Sequence, residues 1–336
     1  MKIDMFSCRS KLLLMALLLC AVWLLWPTEQ LKSFLQPPVS TPNGFAFCSE
    51  VRPKFGPYQQ AVIKEPGLHC VSVDFWQQRL ADFAGHTGPT SDSNLISIIA
   101  NDVTIEMSNH TIHSDGNSNG IVAQRIEQND RSIPINIVIK NGVLDLRGAG
   151  TGVAILDQWS MNNINDQAPK NISGFRKSGI VLENLLIKTD NVGIKLEGDG
   201  NIIRNCIIES GGNSAVMLAG PNGKIINNII TLTEPMPPAN GESGLLSQFD
   251  NLSDFRKNQR AAIALHRATN TVISGNRIQV KGTSRTYHNI YLTDASVSVH
   301  ISDNTIVGSA DIVTSTKGST ADIKSNVVEK HRNKQW

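Results

Sequence analysis

Four side chains in the second half of the chain could together perform acid–base chemistry on a sugar carboxylate. His266 and Arg267 end the segment AIALHR, Tyr291 lies in NIYLTD, and Lys195 lies in GIKLEG. β-Elimination or C5 epimerisation of a uronate needs a base, an acid and a cation that neutralises the carboxylate. We predict His266 as the base and Tyr291 as the acid. Arg267 or Lys195 would neutralise the carboxylate.

Further polar and aromatic residues in the same segments could bind the substrate. Aromatic rings offer an apolar face to a sugar, while Arg and Lys meet carboxylates as a fork or as a point charge. The candidates for substrate binding are Glu197, Tyr287, His288, Asp294 and Arg260. The alternative for each candidate is an ordinary solvated side chain, and both interpretations stay open at this point.

Strand alternation predicts which of these side chains point away from a core. The Ile and Leu residues of GIKLEG and AIALHR are expected to point inward, which leaves the residues between them on an outer face. One outer column would stack Lys195, Met217, Ala264 and Tyr291, and the next Glu197, Ala219, His266 and Thr293. Small residues between polar ones predict a shallow groove.

An internal repeat of about 22 residues defines the elements that position these side chains. A short apolar strand, a turn and a second strand recur from about residue 95, and a third strand lies between successive copies. The turn residues assigned from the repeat are Asn109, Asn141, Asn184, Asn205, Asn228, Asn276, Asn304 and Asn326. We expect their side chains to form a hydrogen-bonded ladder.

Three short strands per unit are typical of a right-handed parallel β-helix, in which rungs stack about 4.8 Å apart and bury each other's inward side chains. A leucine-rich repeat has a unit of similar length but needs regularly spaced Leu, and a β-sandwich has no fixed period. The predicted fold is therefore all-β, a solenoid of about 8 rungs. It occupies residues 46–330, and a polar tail follows at 331–336.

Two stretches resemble a known class of proteins. The segments VIKEPGLHCVSVDFW and LISIIANDVTIEMSNHTIHSDGNSNGIVA look like the opening of bacterial exported right-handed β-helix repeat proteins of the pectate-lyase-like superfamily. The resemblance covers most of residues 60–330 and implies the fold. That superfamily includes polysaccharide lyases, glycosidases and uronate epimerases, so it implies a carbohydrate partner without fixing the activity.

The N-terminus carries a targeting pattern. Three basic residues lie at or before residue 11, and a continuous apolar run, LLLMALLLCAVWLLW, follows. This predicts a membrane anchor or signal helix over residues 1–27, and the lack of a small-x-small cleavage pattern favours an uncleaved anchor. A Pro-containing tether follows at 28–45. The protein is expected to be membrane-anchored and to face the periplasm or cell exterior, or to be secreted.

Charge and cysteine content narrow the partners and cofactors. Beyond residue 27 the 28 basic residues equal the 28 acidic ones, which argues against nucleic acid as a partner. Cys48 and Cys70 could form a disulfide in an oxidising compartment. No Cys/His cluster has zinc-ligand spacing and no Asp cluster has calcium-loop spacing, so no metal site is predicted. Calcium stays open as a cofactor.

The largest insertion, at about 234–259, comes directly before the strand that bears His266. Long loops on a solenoid often carry function, so this one is a functional flap or a tolerated loop. The predicted function is a lyase or C5-epimerase for a uronate-containing polysaccharide. A glycoside hydrolase is less favoured, because the paired carboxylates that it needs are not evident. The alternatives are a non-catalytic glycan-binding or assembly component of a surface polysaccharide system, and a scaffold for proteins.

Overall fold

A computed structural model describes most of the chain after residue 47. The described residues are 48–52, 60–77, 94–115, 118–123, 133–147, 150–156, 175–212, 214–233, 260–281, 287–293, 296–308 and 311–329. The chain divides into two compact units, residues 1–45 and 46–336, and every described residue belongs to the second unit. The predicted anchor, tether, 234–259 insertion and polar tail lie outside the described residues.

The described residues form short strands that stack in three parallel ladders. The first ladder contains β1 (Ser49–Val51), β3 (Gly67–Val71), β6 (Val103–Glu106), β9 (Val138–Leu146), β11 (Val181–Thr189), β13 (Ile202–Arg204), β16 (Lys224–Ile226), β19 (Val272–Ser274), β22 (Val299–Ser302) and β25 (Ala321–Lys324). The second contains β4 (Phe75–Gln77), β7 (Thr111–Ser114), the second halves of β9 and β11, β14 (Ile207–Ser210), β17 (Ile229–Thr233), β20 (Arg277–Lys281), β23 (Thr305–Val307) and β26 (Val327–Glu329). Because β9 and β11 run through both ladders, the two form one 17-stranded sheet.

The third ladder is a separate nine-stranded sheet. Its strands are β2 (Ala61–Ile63), β5 (Asn94–Ile98), β8 (Asn119–Ala123), β10 (Val153–Ile155), β12 (Ile194–Glu197), β15 (Ser214–Ala219), β18 (Arg260–His266), β21 (Tyr287–Thr293) and β24 (Val313–Ser315). These nine strands are one more than the predicted eight rungs. The predicted all-β solenoid is confirmed. Among the described residues no helix is long and apolar enough to cross a membrane.

The core is a set of inward-pointing aliphatic rows that run from rung to rung. One row in the first ladder consists of Ile139, Leu182, Ile203, Ile225, Ile273 and Ile301, all fully buried and aligned by strand register. Burial of each such side chain contributes about 1.5–3 kcal/mol. No single rung could bury these residues alone, so the stacking of rungs creates the core.

The turn between the first and second ladders has an inner and an outer position for Asn. The sequence-based assignment did not distinguish the two positions. The inner position holds Asn228, Asn276, Asn304 and Asn326, each of the first three donating from Nδ2 to the Oδ1 of the next at 2.9 Å. The ladder is therefore confirmed for this half of the predicted set, and one further link of it is present where Asn184 Nδ2 donates to Asn141 Oδ1 at 3.0 Å. One rung earlier the inner position is Cys206, not Asn205, and its backbone N–H donates to Asn228 Oδ1 at 2.8 Å. Burial raises the pKa of the Cys206 thiol to about 12.

The outer position of the same turn requires a left-handed backbone. Asn141, Asn184 and Asn205 occupy it with φ between 53° and 59°. Asn tolerates this conformation better than most residues, because its short polar side chain can hydrogen-bond locally. Asn at the outer position therefore permits the left-handed backbone conformation. Asn at the inner position hydrogen-bonds to buried polar groups, so the same residue type has two different roles in one turn.

The first rung is joined covalently to the strand above it. Cys48 and Cys70 form a disulfide with their Cα atoms 5.8 Å apart. Cys70 lies in β3, which pairs with β1 directly after Cys48. The crosslink closes a loop of 22 residues at the N-terminal end of the solenoid and restricts the unfolded chain there.

Candidate functional site

The candidate residues lie on the outer face of the nine-stranded sheet. Lys195, Met217, Ala264 and Tyr291 align in one column, as predicted. Glu197, Ala219, His266 and Thr293 align in the next. Strand alternation and register therefore place the residues of these two columns on one face, because inward Ile and Leu residues fix the orientation of the strands there. Tyr287 and His288 are adjacent on β21 and Tyr287 packs against the core, so alternation does not place both of them on that face.

Lys195 does not meet the other three predicted catalytic residues. It lies on β12, whereas Tyr291 lies on β21, three rungs away, which is roughly 14 Å at the usual strand spacing. Met217 and Ala264 occupy the rungs between them. The predicted quartet is thus divided into His266, Arg267 and Tyr291 on adjacent rungs and a separate Lys195.

Two of the candidates are not on an open surface. Glu197 is 2% exposed and Tyr291 is 4% exposed, and Thr293 is buried as well. These buried side chains therefore contribute little surface to the predicted shallow groove. Alternation determines which face of a sheet a side chain occupies, but it does not determine whether that face is covered. The half-buried candidates are Lys195, Arg260, His266, Arg267, Tyr287 and His288.

The contacts of the Thr293 hydroxyl favour one tautomer of His266. The hydroxyl of Thr293 donates its one proton to the Leu265 carbonyl at 3.1 Å. The same oxygen lies 3.2 Å from Nδ1 of His266, where it must therefore accept. A neutral imidazole in this position carries its proton on Nδ1 and its lone pair on Nε2, which is the arrangement of a general base.

Arg267 has an unusual backbone for its residue type. It has φ 50°, and the corresponding residues of the two preceding rungs are Gly198 and Gly220, with φ 123° and 108°. An L-residue in the left-handed region carries a conformational cost of about 1–2 kcal/mol. A guanidinium is retained where the neighbouring rungs use glycine, which marks this turn as a functional candidate.

A second group of candidates lies at the opposite end of the same two strands. Nη1 of Arg260 donates to the Tyr287 hydroxyl at 2.6 Å, and the guanidinium carbon lies 5.4 Å from the Tyr287 ring centroid. His288 stacks on Tyr291 with ring centroids 5.1 Å apart. Burial lowers the pKa of His288 from its ordinary value of 6.5, and the Asp311 carboxylate opposes this shift. A neutral imidazole is therefore favoured here.

Together the two groups form a row along the strands. The row begins at Arg260 and Tyr287, where β18 and β21 start, and ends at His266 and Arg267. Its length is roughly 20 Å, from six residue steps of about 3.3 Å. The sequence-based columns run along the axis of the solenoid, but the functional groups of these strands are arranged across it.

Two basic residues beside Glu197 were not predicted from the sequence. Arg176 and Lys177 are exposed and line a small surface depression together with Glu197. The remaining lining residues are Ile133, Pro134, Ile135, Ile155, Ser178 and Gly198. The signal in the sequence was the basic pair in GFRKSG, directly before a strand. It was missed because the basic pair lies about 20 residues before Glu197 in sequence.

Asp294, a predicted substrate ligand, lies outside the described residues, as does the 234–259 insertion. Within the described ranges no group of three or more His, Cys, Asp or Glu residues could hold a metal ion.

Parallel ladders with stacked aliphatic rows define a parallel β-helix protein, and comparison with known proteins agrees with this class. Residues 171–335 match a family model described as a right-handed β-helix region. The predicted resemblance to right-handed β-helix proteins is thus confirmed for the fold. No curated protein matches the chain.

One solved structure similar to this chain is the crystal structure of the enzymatically active domain of bacteriophage CBA120 tailspike protein 2. The two are 13% identical, with a TM-score of 0.49, over 81% of this chain and 39% of that chain. The protein described here therefore spans less than half the length of that neighbour.

Proposed function

We propose that this protein acts on a uronate-containing polysaccharide, which lies along strands β18 and β21. The observation that carries the proposal is the row of Arg260, His288, His266 and Arg267 with two tyrosine rings among them. Guanidinium groups bind carboxylates in a planar, two-pronged geometry, and aromatic rings offer an apolar face to a sugar. A row of roughly 20 Å suits several sugar units rather than one.

The proposed reaction is β-elimination or C5 epimerisation. Nε2 of His266 takes the C5 proton, while the guanidinium of Arg267 neutralises the substrate carboxylate and so stabilises the negative charge that develops. In elimination the electron pair of the C5–H bond forms a C4–C5 double bond, and the C4–O bond breaks as the leaving oxygen takes a proton from water. In epimerisation C5 takes a proton from water on the opposite face, and His266 releases the proton that it removed to solvent. General-base catalysis of this kind contributes about 10²–10⁴-fold in rate.

The proposed location is outside the cytoplasm, either membrane-anchored and facing the periplasm or cell exterior, or secreted. The Cys48–Cys70 disulfide supports it, because disulfides persist in oxidising compartments. The basic residues and apolar run of residues 1–27 support it independently.

The test is to incubate the purified chain with a panel of uronate and neutral polysaccharides, with and without calcium. Absorbance of the unsaturated uronate product reports elimination, and exchange of the C5 proton with solvent deuterium reports epimerisation. We expect one of these signals with a uronate polymer, and we expect His266→Gln to remove it. His300→Gln is the matched control, since His300 lies on the outer face of the other sheet. Loss of activity in both variants, or in neither, would refute the role of His266.

A non-catalytic glycan-binding or assembly role is the second candidate. The observation in its favour is the burial of Tyr291, because a general acid must reach the leaving oxygen. This role requires saturable binding of the polymer without product and without C5 exchange. Arg260→Ala and Arg267→Ala should then weaken binding, while His266→Gln should have little effect on it.

A further inference from the structure

A second cluster of aromatic and charged side chains lies on the outer face of the second ladder, far in sequence from the row described above. Trp76 on β4, His113 on β7 and Asp145 on β9 occupy one column, each on its own rung. They lie in the N-terminal part of the solenoid, next to the disulfide-linked first rung. Nothing in the proposed reaction uses them.

Hydrogen bonds hold the imidazole of this cluster in place. Nε2 of His113 lies 2.8 Å from Asp115 Oδ1, and Nδ1 lies 3.2 Å from Asp145 Oδ2. Arg147 in turn donates from Nε to the other oxygen of Asp145 at 3.4 Å. Two carboxylates on opposite sides of one ring leave it little freedom to rotate. The ring of Trp76 packs on this imidazole with centroids 4.5 Å apart.

The indole of Trp76 is open to solvent, although the imidazole on which it packs is held in place. Trp76 is 56% exposed, which is unusual for the largest apolar side chain. The side chain of Asp115 beside it is half exposed. A rigid, exposed aromatic face with charged groups at its rim is the arrangement of a binding platform rather than of a packed surface.

The charge of the cluster selects the kind of ligand. Asp74, Asp115, Asp145 and Glu209 contribute four carboxylates, against the guanidinium of Arg147 and the ammonium of Lys188, which lies in register with Asp145. The cluster stays net negative even when His113, with a carboxylate at each ring nitrogen, is counted as a cation. Such a surface repels a polyuronate. It attracts an ammonium group, which a carboxylate binds through charge-assisted hydrogen bonds and an indole binds through its π-face.

We propose that Trp76, His113, Asp115 and Asp145 form a binding site for an amino-sugar unit of a glycan. The indole takes the apolar face of the pyranose, Asp115 takes the ammonium group, and His113 keeps the indole in position. This site is separate from the proposed catalytic row. It prefers a cationic sugar, whereas the catalytic row prefers an anionic one. The two sites together would let the protein bind a polysaccharide that contains both amino sugars and uronates.

The test is a titration of the full chain with a hexamer of β-1,4-linked glucosamine, followed by tryptophan fluorescence and calorimetry. We expect saturable binding with a change in indole emission. Trp76→Ala should weaken binding at least tenfold and remove the emission change. Trp76→Phe should weaken binding less, because an aromatic ring remains to contact the sugar. Asp115→Asn should weaken binding several-fold. Val327→Ala, which shortens another exposed apolar residue of 58% exposure, is the matched control and should bind normally.

Two competing hexamers test the charge preference. A galacturonate hexamer should not compete at this site, and an N-acetylglucosamine hexamer, which lacks the ammonium group, should bind more weakly. Unchanged binding by Trp76→Ala, or equal binding of the galacturonate hexamer, would overturn the proposal. His266→Gln should leave glucosamine binding intact, so failure of this site and failure of the proposed catalytic function can be distinguished.

Discussion

On the outer face of the 17-stranded sheet, charges of opposite sign lie on neighbouring rungs. Arg204 pairs with Glu183 at 2.9 Å, and Lys188 approaches Glu209 at 3.7 Å. On the outer face of the nine-stranded sheet, the neighbours in register are small or neutral. Ala154 and Met217 flank Lys195, and Ala219 and Thr293 flank His266.

The difference separates a solvated surface from a candidate site. Cross-rung ion pairs satisfy exposed charges at little gain or cost, since such pairs are worth about 0–1 kcal/mol. Small neighbours leave room beside the functional groups instead, and several polar side chains there are buried. Burying polar groups costs free energy unless they are hydrogen-bonded. The nine-stranded face is therefore a better candidate for ligand recognition than the part of the 17-stranded face around Arg204 and Glu183, where the charges are neutralised. The Trp76 cluster lies elsewhere on the 17-stranded face.

The largest expected effect concerns the buried tyrosine of the nine-stranded sheet. Tyr291→Ala should lower the free energy of unfolding by about 3 kcal/mol, as truncation of buried aromatic residues generally does. Ile229→Ala should change it by less than about 0.5 kcal/mol, because Ile229 points outward from the other sheet and is 43% exposed. Chemical denaturation monitored by circular dichroism measures both. Equal effects would mean that the two faces are buried alike.

A smaller effect is expected at the left-handed turns. Arg267→Gly should raise the free energy of unfolding by up to about 1 kcal/mol, because glycine removes a steric cost of about 1–2 kcal/mol while adding entropy to the unfolded chain. The same change should weaken binding of a uronate polymer. Arg267→Ala should weaken binding without the gain in stability. Asn205→Gly, at a turn of the other sheet with φ 55°, should leave stability nearly unchanged. A loss of stability in Arg267→Gly would show that the turn is not strained.

The ion pairs of the 17-stranded sheet should contribute less again. A double-mutant cycle on Arg204 and Glu183 should give a coupling free energy of about 0.3–0.5 kcal/mol. The coupling should fall when the salt concentration rises, since salt screens exposed charges. A coupling above about 1.5 kcal/mol would contradict the description of this face as a solvated surface.

The smallest effect is a pH dependence from His288. Its pKa in the folded protein lies below the ordinary 6.5, so just below pH 6.5 the unfolded chain binds more protons at this residue. Stability therefore rises with pH in that window and is lost on acidification. His288→Gln should flatten this slope in denaturation curves taken across the window. His300→Gln, on the exposed face of the other sheet, should not.

The outcome at the turns shows what a repeat can and cannot reveal. Periodicity located the turns from Asn109 onward but not the first one, between β3 and β4. It correctly predicted a ladder for Asn228, Asn276, Asn304 and Asn326. It could not distinguish the outer position from the inner one, because Asn suits both a left-handed backbone and a buried hydrogen bond. Asn205 and Cys206 are adjacent in sequence, yet only the second occupies the ladder.

The sequence by itself determined the period, the fold class and the face on which the residues of the two columns lie. These follow from local rules, because a strand alternates its side chains and a rung of about 22 residues must repeat to bury its core. Only the tertiary structure decided that Glu197 and Tyr291 are buried and that Trp76 packs on His113. Burial and the distance between rungs depend on which segments stack, and segments far apart in sequence determine that.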